Sequence, residues 1–286
     1  MTSSAIIHVE PRDFRHLPHP RITQTIRSAG AEFSIVCDFL CPSPSFWRET
    51  RTYRHPSPPF ARIFALESGS VILETGDGVR TLVPHRIYLL PPERPFEATY
   101  RRGTKITAFH VYIGDRFGFP LGRDLDGIPE IRDRRIFDAV IAAVESGEEP
   151  VWQAAAFQTV TIFCRPLFPK LEQRARMSPV LKKVVDIIAA MPPGKLRVAT
   201  IAEEMHTSRA ALSKSFERQF KIPLKRYIRD TAVHAAKKFL LNADMTVAEV
   251  ACRLGYKEPS YFQRVFKQCV GMTPFTYRRK HRFPAS

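Results

Sequence analysis

The chain has 286 residues, 44% of them hydrophobic, and a formal net charge of +16. That length exceeds one ordinary domain, and the apolar fraction is sufficient for buried cores, so wholesale disorder is excluded. Five cysteines without a C-x-x-C pair argue against a disulfide scaffold, a zinc ribbon or a redox pair, and no apolar run approaches the roughly 18 residues that span a bilayer.

The first part of the chain predicts an irregular segment followed by a β domain. Residues 1–32 contain three prolines and little periodicity, and they show no secretory signal, which predicts a cytoplasmic protein with no membrane partner. Residues 33–127 contain short runs rich in β-branched and aromatic residues, such as FARIFALE and KITAFHVYI, separated by turn signals such as Gly76-Asp77-Gly78. Many short, evenly spaced strands are typical of an antiparallel barrel or jelly roll.

The remaining residues have helical periodicity. Residues 128–172 predict helices with a large apolar surface that includes Trp152 and Phe163, interrupted near Pro166, and residues 173–177 predict a linker. Residues 178–286 predict an all-α domain, and several of its helices begin at capping residues. Its expected helices span 179–191, 198–205, 208–220, 223–241, 246–254 and 258–269.

The positive charge is concentrated in this last domain. Residues 178–286 hold 21 Lys and Arg against 8 Asp and Glu, whereas residues 1–177 hold 23 against 20. Such asymmetry is typical of a polyanion-binding domain attached to a nearly neutral one. A membrane surface, an acidic partner and a basic surface that only aids solubility remain alternatives.

The basic domain repeats itself at an interval of about 50 residues. IAEEMHTSRAALSKSFERQF aligns with VACRLGYKEPSYFQRVFKQCV, and each copy reads as a short helix, a tight turn and a second helix. Gly255 suits the second turn because glycine adopts positive φ, whereas its counterpart His206 is expected to be strained there. Two such units in a basic domain favour binding to double-stranded DNA over an αα-hairpin bundle without a ligand.

Residues 178–281 resemble the DNA-binding domain of the AraC family of bacterial transcription regulators. The resemblance rests on TVAEVACRLGYKEPSYFQRVFKQCVGMTPFTYRR, with its elements A-x-x-x-G-[FY], S-Y-F-x-R-x-F-K and G-x-T-P-x-x-Y-R. The first half fits more loosely, and Ala232 stands where the family usually has an arginine. The N-terminal half resembles the cupin-like sensor domain of this family. The expected fold is therefore multidomain α+β, with an N-terminal cupin-like β-barrel and flanking helices before a C-terminal all-α tandem helix-turn-helix domain.

The resemblance implies how such a protein acts. Two recognition helices, joined by a rigid helix at about 223–241, enter successive major grooves, and the sensor domain responds to a small-molecule effector such as a sugar. The usual effect is activation, with RNA polymerase as a partner. Helices of the sensor domain often mediate dimerisation in this family, so 128–172 is a candidate homodimer interface, with packing against the barrel as the alternative.

Periodicity identifies the outward faces of the two recognition helices. Leu212 and Phe216 point inward in the first, and Phe262 and Phe266 in the second. Arg264 is the strongest base-contact candidate because arginine bonds two acceptors of guanine, and the alternative is a phosphate clamp. The full set of base-contact candidates is Arg209, Ala210, Ser213, Lys214, Glu258, Pro259, Tyr261 and Arg264. The phosphate candidates are Lys225, Arg226, Thr246, Lys267, Arg278 and Arg279.

The predicted barrel offers a place for an effector. Its candidate pocket residues are Arg62, Phe64, Leu66, Tyr88 and Phe109, with simple barrel core as the alternative, and Arg62 would suit a polar or anionic effector. His55, His85 and His110 are isolated and form no H-x-H pattern, so we predict no metal, no cofactor and no catalytic residue. Two rival hypotheses remain: a cupin-type metal enzyme tethered to DNA, and a non-specific architectural DNA binder.

Overall fold

The computed structural model describes residues 21–28, 31–39, 42–55, 60–115, 121, 125–176, 178–240 and 245–281. The β domain begins earlier than the sequence predicts, because the segment 1–32 contains strand β1; residues 1–20 lie outside the described residues. The described strands are β1 (Arg21–Ser28), β2 (Ala31–Phe39), β3 (Ser43–Phe46), β4 (Arg51–His55), β5 (Ala61–Ser68), β6 (Val71–Thr75), β7 (Gly78–Leu82), β8 (Arg86–Leu90), β9 (Phe96–Tyr100), β10 (Lys105–Asp115) and β11 (Glu130–Ile131).

These strands form two antiparallel sheets that pack face to face. The larger has the order β1-β2-β10-β5-β8-β11, with β3 also on β10, and the smaller has the order β4-β9-β6-β7. Strand β5 is buried on both faces, so its alternate side chains enter different cores. Phe64 and Leu66 meet Leu73 and Ala98 of the small sheet, whereas Ile63 and Ala65 face the helices. This two-sheet domain confirms the cupin-like expectation.

Three helices cover the outer face of the larger sheet: α1 (Arg134–Glu145), α2 (Glu149–Cys164) and α3 (Phe168–Ala175), with a 3-10 turn at Arg165–Leu167. Strand β11 lies inside the segment 128–172, which was expected to be helical. Helix α3 continues through most of the predicted linker 173–177, since its residues belong to the same amphipathic helix that packs on β2.

The apolar face of α2 is buried within the chain. Trp152, Phe157, Val160 and Phe163 are each at most 5% exposed, in the core that also contains Ile63. These four side chains therefore pack against the barrel, as the alternative supposes, and a homodimer interface within 128–172 stays a prediction. The apolar face that the sequence shows on this helix is thus the face that packs on the sheet.

The C-terminal domain has the helices that periodicity predicts, with one more at its end. Thr246 caps α8 in a reciprocal capping box with Glu249, as expected. The described helices are α4 (Pro179–Ala190), α5 (Val198–Glu204), α6 (Arg209–Phe220), α7 (Leu224–Leu240), α8 (Val247–Arg253), α9 (Pro259–Val270) and α10 (Pro274–His281). None of the helices in the described segments is both long enough and apolar enough to cross a membrane.

Helix α7 belongs to both helix-turn-helix units. Its first half contributes Leu224 and Tyr227 to a core with α4, α5 and α6. Its second half contributes Ala236 and Leu240 to a core with α8, α9 and α10. Each unit thus has its own hydrophobic core, and one continuous helix connects the two.

Candidate nucleic-acid interface

Helix α6 presents a polar face on the first unit. Ser208 caps the helix by accepting from the backbone N–H of Ala211 at 3.1 Å. Leu212 and Phe216 are buried and fix the rotation of the helix. Four residues were predicted to face outward: Arg209, Ala210 and Lys214 are exposed, and Ser213 is half-buried. Neither Arg209 nor Lys214 forms an ion pair with a residue that the structure describes.

Helix α9 presents the corresponding face of the second unit. Phe262 and Phe266 are buried, so Tyr261 and Arg264 project outward from the opposite side. The guanidinium carbon of Arg264 lies 5.3 Å from the centre of the Tyr261 ring. This cation–π contact positions the guanidinium at the exposed surface without neutralising it. Glu258, the residue before the helix, is exposed, and Pro259 begins the helix half-buried.

The turns between the paired helices have positive φ at the positions that the sequence predicts, and only the first is strained. His206 has φ 50° and Gly255 has φ 81°. A non-glycine residue at positive φ costs free energy, so the first turn is held at a cost that the second avoids.

Some of the phosphate candidates are exposed and form no ion pair with a described residue, whereas Arg226 has an ion-pair partner. Lys225, Lys267 and Arg279 are exposed, whereas Arg226 lies 3.5 Å from Asp230 in an i,i+4 ion pair. Such exposed pairs are weak, so Arg226 can exchange this partner for a phosphate.

Two phosphate candidates have structural partners, of which the sequence indicates only the Thr246–Glu249 capping box. Nε of Arg278 donates to the carbonyl of Leu240 at 2.8 Å, so the arginine caps the C-terminal end of α7. The backbone N–H of Thr246 donates to the carboxylate of Glu249 at 2.6 Å, so this amide already has an acceptor. Their predicted DNA contacts therefore compete with bonds that hold the second unit together.

Additional polar side chains share the face of α9 with Arg264. Ser260 and Gln268, each one turn from Arg264, are exposed there, and Gln263 is exposed at the margin of this face. The same helical period that identified Arg264 also places these residues outside, but their uncharged side chains gave no comparable signal.

Four of the five predicted pocket residues share one face of the larger sheet. Arg62, Phe64, Leu66 and Tyr88 are each at most 5% exposed. Phe109 points the other way, into the core beneath the helices, because residues that neighbour one another along a strand alternate between faces. Phe109 therefore does not line the same space as the other four.

A cavity of about 550 Å³ opens at the edge of the β domain. Gly76, Asp77, Arg94, Phe96 and Ile128 are among the residues that line it, and none of the five predicted pocket residues does. The connection to them is indirect: the Phe96 ring that lines the cavity lies 5.3 Å from the Arg62 guanidinium.

Arg62 is the centre of a buried basic cluster. Burial lowers the pKa of Arg62 to about 10, which still leaves it charged at neutral pH. Burial, and secondarily the charge of Arg62, lower the pKa of His55 to about 3, and the pKa of His110 also falls well below its usual value.

Among the described residues, no three His, Cys, Asp or Glu side chains come together in a group that could hold a metal ion.

The two domains contact each other at helix α7. Lys237 of α7 forms an ion pair with Glu93, and the Lys237 side chain is only 12% exposed. The ring of His234 meets the ring of Tyr112 edge-on at 5.8 Å. The β domain is thus connected to the helix that both helix-turn-helix units share.

Residues 201–280 match the profile of a helix-turn-helix domain family. The chain is 30% identical over 122 residues to the uncharacterized HTH-type transcriptional regulator YtdP of Bacillus subtilis, covering 42% of this chain and 16% of that protein. It is 27% identical over 154 residues to the bifunctional transcriptional activator/DNA repair enzyme AdaA of Bacillus subtilis, covering 43% and 73%. It is 32% identical over 81 residues to the arabinose operon regulatory protein of Escherichia coli K12, covering 28% of each chain.

The matches thus concern a region of the chain, and they span less than a third of YtdP and of the arabinose operon regulatory protein. Among solved structures, unsaturated fatty acid bound ToxT from Vibrio cholerae strain SCE256 has 18% identity and a TM-score of 0.44, covering 84% of this chain and 94% of that one. That similarity is too low to carry over a function. The tandem units, their sequence elements and the matched regulators together identify the C-terminal domain as an AraC-family helix-turn-helix DNA-binding domain.

Proposed function

We propose that this protein is a sequence-specific regulator of transcription that places α6 and α9 in neighbouring major grooves of one duplex. The observation that carries the proposal is the pair of exposed polar helix faces, each aligned by two buried apolar residues, on a domain that contains most of the net positive charge. A recognition helix in this setting presents side chains to base edges, and the surrounding cations contact phosphates.

The two units contribute different chemistry to this reading of DNA. Helix α9 offers Arg264 for a guanine and Tyr261 for an apolar or polar contact, whereas α6 offers Arg209 and Lys214 beside the small Ala210. Exposed Lys225, Lys267 and Arg279 supply the affinity that does not depend on sequence. We infer that the second unit specifies more of the operator than the first.

We also propose that the β domain senses a small molecule and transmits its presence through α7. The cavity beside Phe96 has a volume in the range of small-molecule sites, and the same ring contacts buried Arg62. A polar or anionic effector, such as a sugar acid, suits a site near this cation. The Glu93–Lys237 ion pair then connects a shift in the β domain to the helix that orients both recognition helices.

In this proposal the protein is a cytoplasmic homodimer that activates transcription by contacting RNA polymerase. The names of the matched regulators support a role in transcription over catalysis, although the name of AdaA includes a DNA repair enzyme. Stoichiometric metal in the purified protein would instead favour the tethered enzyme.

The experiment that tests DNA recognition is selection of binding sites by the full chain from a random duplex pool at about physiological salt. We expect enrichment of two short motifs about one helical turn apart. Arg264→Ala is then expected to relax discrimination at one base pair by about 1–3 kcal/mol. The matched control, Lys267→Ala on the same helix, is expected to weaken binding equally on all sequences and to reduce the salt dependence.

The alternatives predict different results. A non-specific architectural binder enriches no motif and has a steep salt dependence without a mismatch penalty. If Arg264→Ala weakens binding equally on every sequence, Arg264 contacts a phosphate and the assignment to a base is wrong.

A further inference from the structure

The two helix-turn-helix units contact each other at a second place besides α7. A 3-10 turn at Pro193–Lys195 joins α4 to α5 in the first unit, and it lies against the turn between α8 and α9 of the second. There the backbone N–H of Gly194 donates to the carbonyl of Leu254 at 2.7 Å. We call this contact, formed by residues 192–194 and 254–256, the inter-unit junction.

The junction is anchored in both hydrophobic cores. Leu196, two residues after Gly194, is 2% exposed in the core of the first unit. Leu254, whose carbonyl accepts the hydrogen bond, is 1% exposed in the core of the second. Nη1 of Arg197 also donates to the carbonyl of Gly194 at 3.1 Å and to that of Leu196 at 2.8 Å, which fixes the local path of the chain. A displacement at the junction therefore moves one core relative to the other.

The approach of the two backbones depends on the absence of side chains. A Cβ atom on Gly194 would lie 2.7 Å from the carbonyl carbon of Gly255, 2.7 Å from the amide nitrogen of Tyr256 and 2.8 Å from the carbonyl oxygen of Gly255. All three are backbone atoms, which cannot rotate aside. A Cβ on Gly255 would in turn lie 2.7 Å from Cβ of Pro192. Glycine at both positions is thus a requirement of the contact itself.

We propose that this junction sets the distance and angle between α6 and α9, and with them the spacing of the two half-sites in the DNA. This inference rests on the proposed binding of one duplex by both helices. A connection through α7 alone would leave the units free to bend about one helix. With a second contact, the position of one unit relative to the other is fixed. A single half-site spacing then fits both recognition helices at once, and duplexes with other spacings lose the affinity gained from simultaneous binding.

Gly194→Ala is the variant that tests the role of the junction. The φ of Gly194 lies outside the positive range in which a side chain is strained, so the substitution changes the contact and leaves the local backbone conformation permitted. The new methyl group must move from 2.7 Å to at least 3.4 Å from its neighbours, which lengthens the bond to Leu254. The matched control is Ala189→Ser, which also adds a single atom but does so at an exposed position of α4 in the same domain.

The experiment measures the affinity of the full chain for a set of duplexes in which the two selected half-sites are separated by one or two base pairs more or fewer. We expect wild type and Ala189→Ser to have a sharp optimum. We expect Gly194→Ala to lose on the order of tenfold at the optimum and less at the other spacings, so that the profile flattens. Circular dichroism and thermal unfolding establish that each variant is folded.

Several outcomes would overturn the inference. An unchanged profile, or a loss that is equal at all spacings in a folded variant, means that the junction does not set the spacing. If Gly194→Ala does not fold, Pro192→Ala is the substitute, because it removes side-chain atoms from the same junction and adds none. The inference then stands only if Pro192→Ala flattens the spacing profile. Failure of wild type to select any two-part site is a different result, because it contradicts the proposed function and not the junction alone.

Discussion

The stability of the β domain is expected to fall with decreasing pH because of two buried histidines. His110 is 7% exposed and its ring lies 4.9 Å from that of Phe60, while Nε2 of His55 is buried without a hydrogen-bond partner among the described residues. The positive charge of Arg62, which is 5% exposed, acts on both. Burial and this cation keep both imidazoles neutral in the folded state.

The sign and size of the effect follow from proton linkage. Since the folded pKa of each histidine lies below the usual 6.5, only the unfolded chain takes up protons as the pH falls below that value. The stabilisation is complete above about pH 6.5 and decreases toward the folded pKa, which is about 3 for His55. At pH 5 the loss for His55 is about 2 kcal/mol, a substantial part of a typical domain stability of about 5–15 kcal/mol, and His110 acts in the same direction.

Unfolding by guanidinium chloride at several pH values, followed by tryptophan fluorescence, measures this effect. The chain has two tryptophans, Trp47 and Trp152, and both lie in the N-terminal domain, so the signal reports that domain alone. We expect His55→Gln and His110→Gln each to reduce the pH dependence, and the exposed His206→Gln to leave it unchanged. A free energy of unfolding that is the same at pH 8 and pH 5, or a pH dependence that persists in the double variant, would refute the reasoning.

Three further predictions concern the stability of the C-terminal domain and its contact with the β domain. Thr246→Ala removes the capping box with Glu249 and is expected to lower the free energy of unfolding by about 1 kcal/mol, measured by circular dichroism. Phe262→Ala, at a site 2% exposed, is expected to cost about 3–5 kcal/mol in the same measurement because it leaves a cavity in the second unit. A double-mutant cycle of Glu93→Gln and Lys237→Met is expected to give a coupling energy on the order of 1 kcal/mol in denaturant unfolding, since both side chains are largely buried.

Each of these predictions has its own control. Thr246→Ser keeps the hydroxyl and is expected to retain most of the stability, and equal losses for serine and alanine would contradict the capping argument. The substitution of exposed Gln263 by alanine is the control for Phe262 on the same helix. A coupling energy of zero would mean that the contact between the domains is not formed in solution.

The sequence by itself determined the C-terminal domain almost completely. Local signals were sufficient there: the period of Leu212 and Phe216 fixed the rotation of α6, and Thr246 with Glu249 marked the start of α8 within one residue. Short helices joined by tight turns depend mostly on residues close in sequence, so periodicity and caps predict them well. The duplication of the unit indicated two recognition helices, and the family resemblance implied that a rigid helix joins them.

Only the tertiary structure decided the residues whose partners are distant in sequence. The apolar stripe that includes Trp152 fits a dimer interface or an intramolecular core equally well, and the position of the larger sheet settles that it is core. The register of β10 decides which face of the sheet Phe109 occupies, because a shift of one residue moves each side chain to the opposite face. The junction between Gly194 and Leu254 joins residues 60 positions apart. A glycine in a loop is usually explained by local turn geometry, and nothing local reveals that another backbone lies against it.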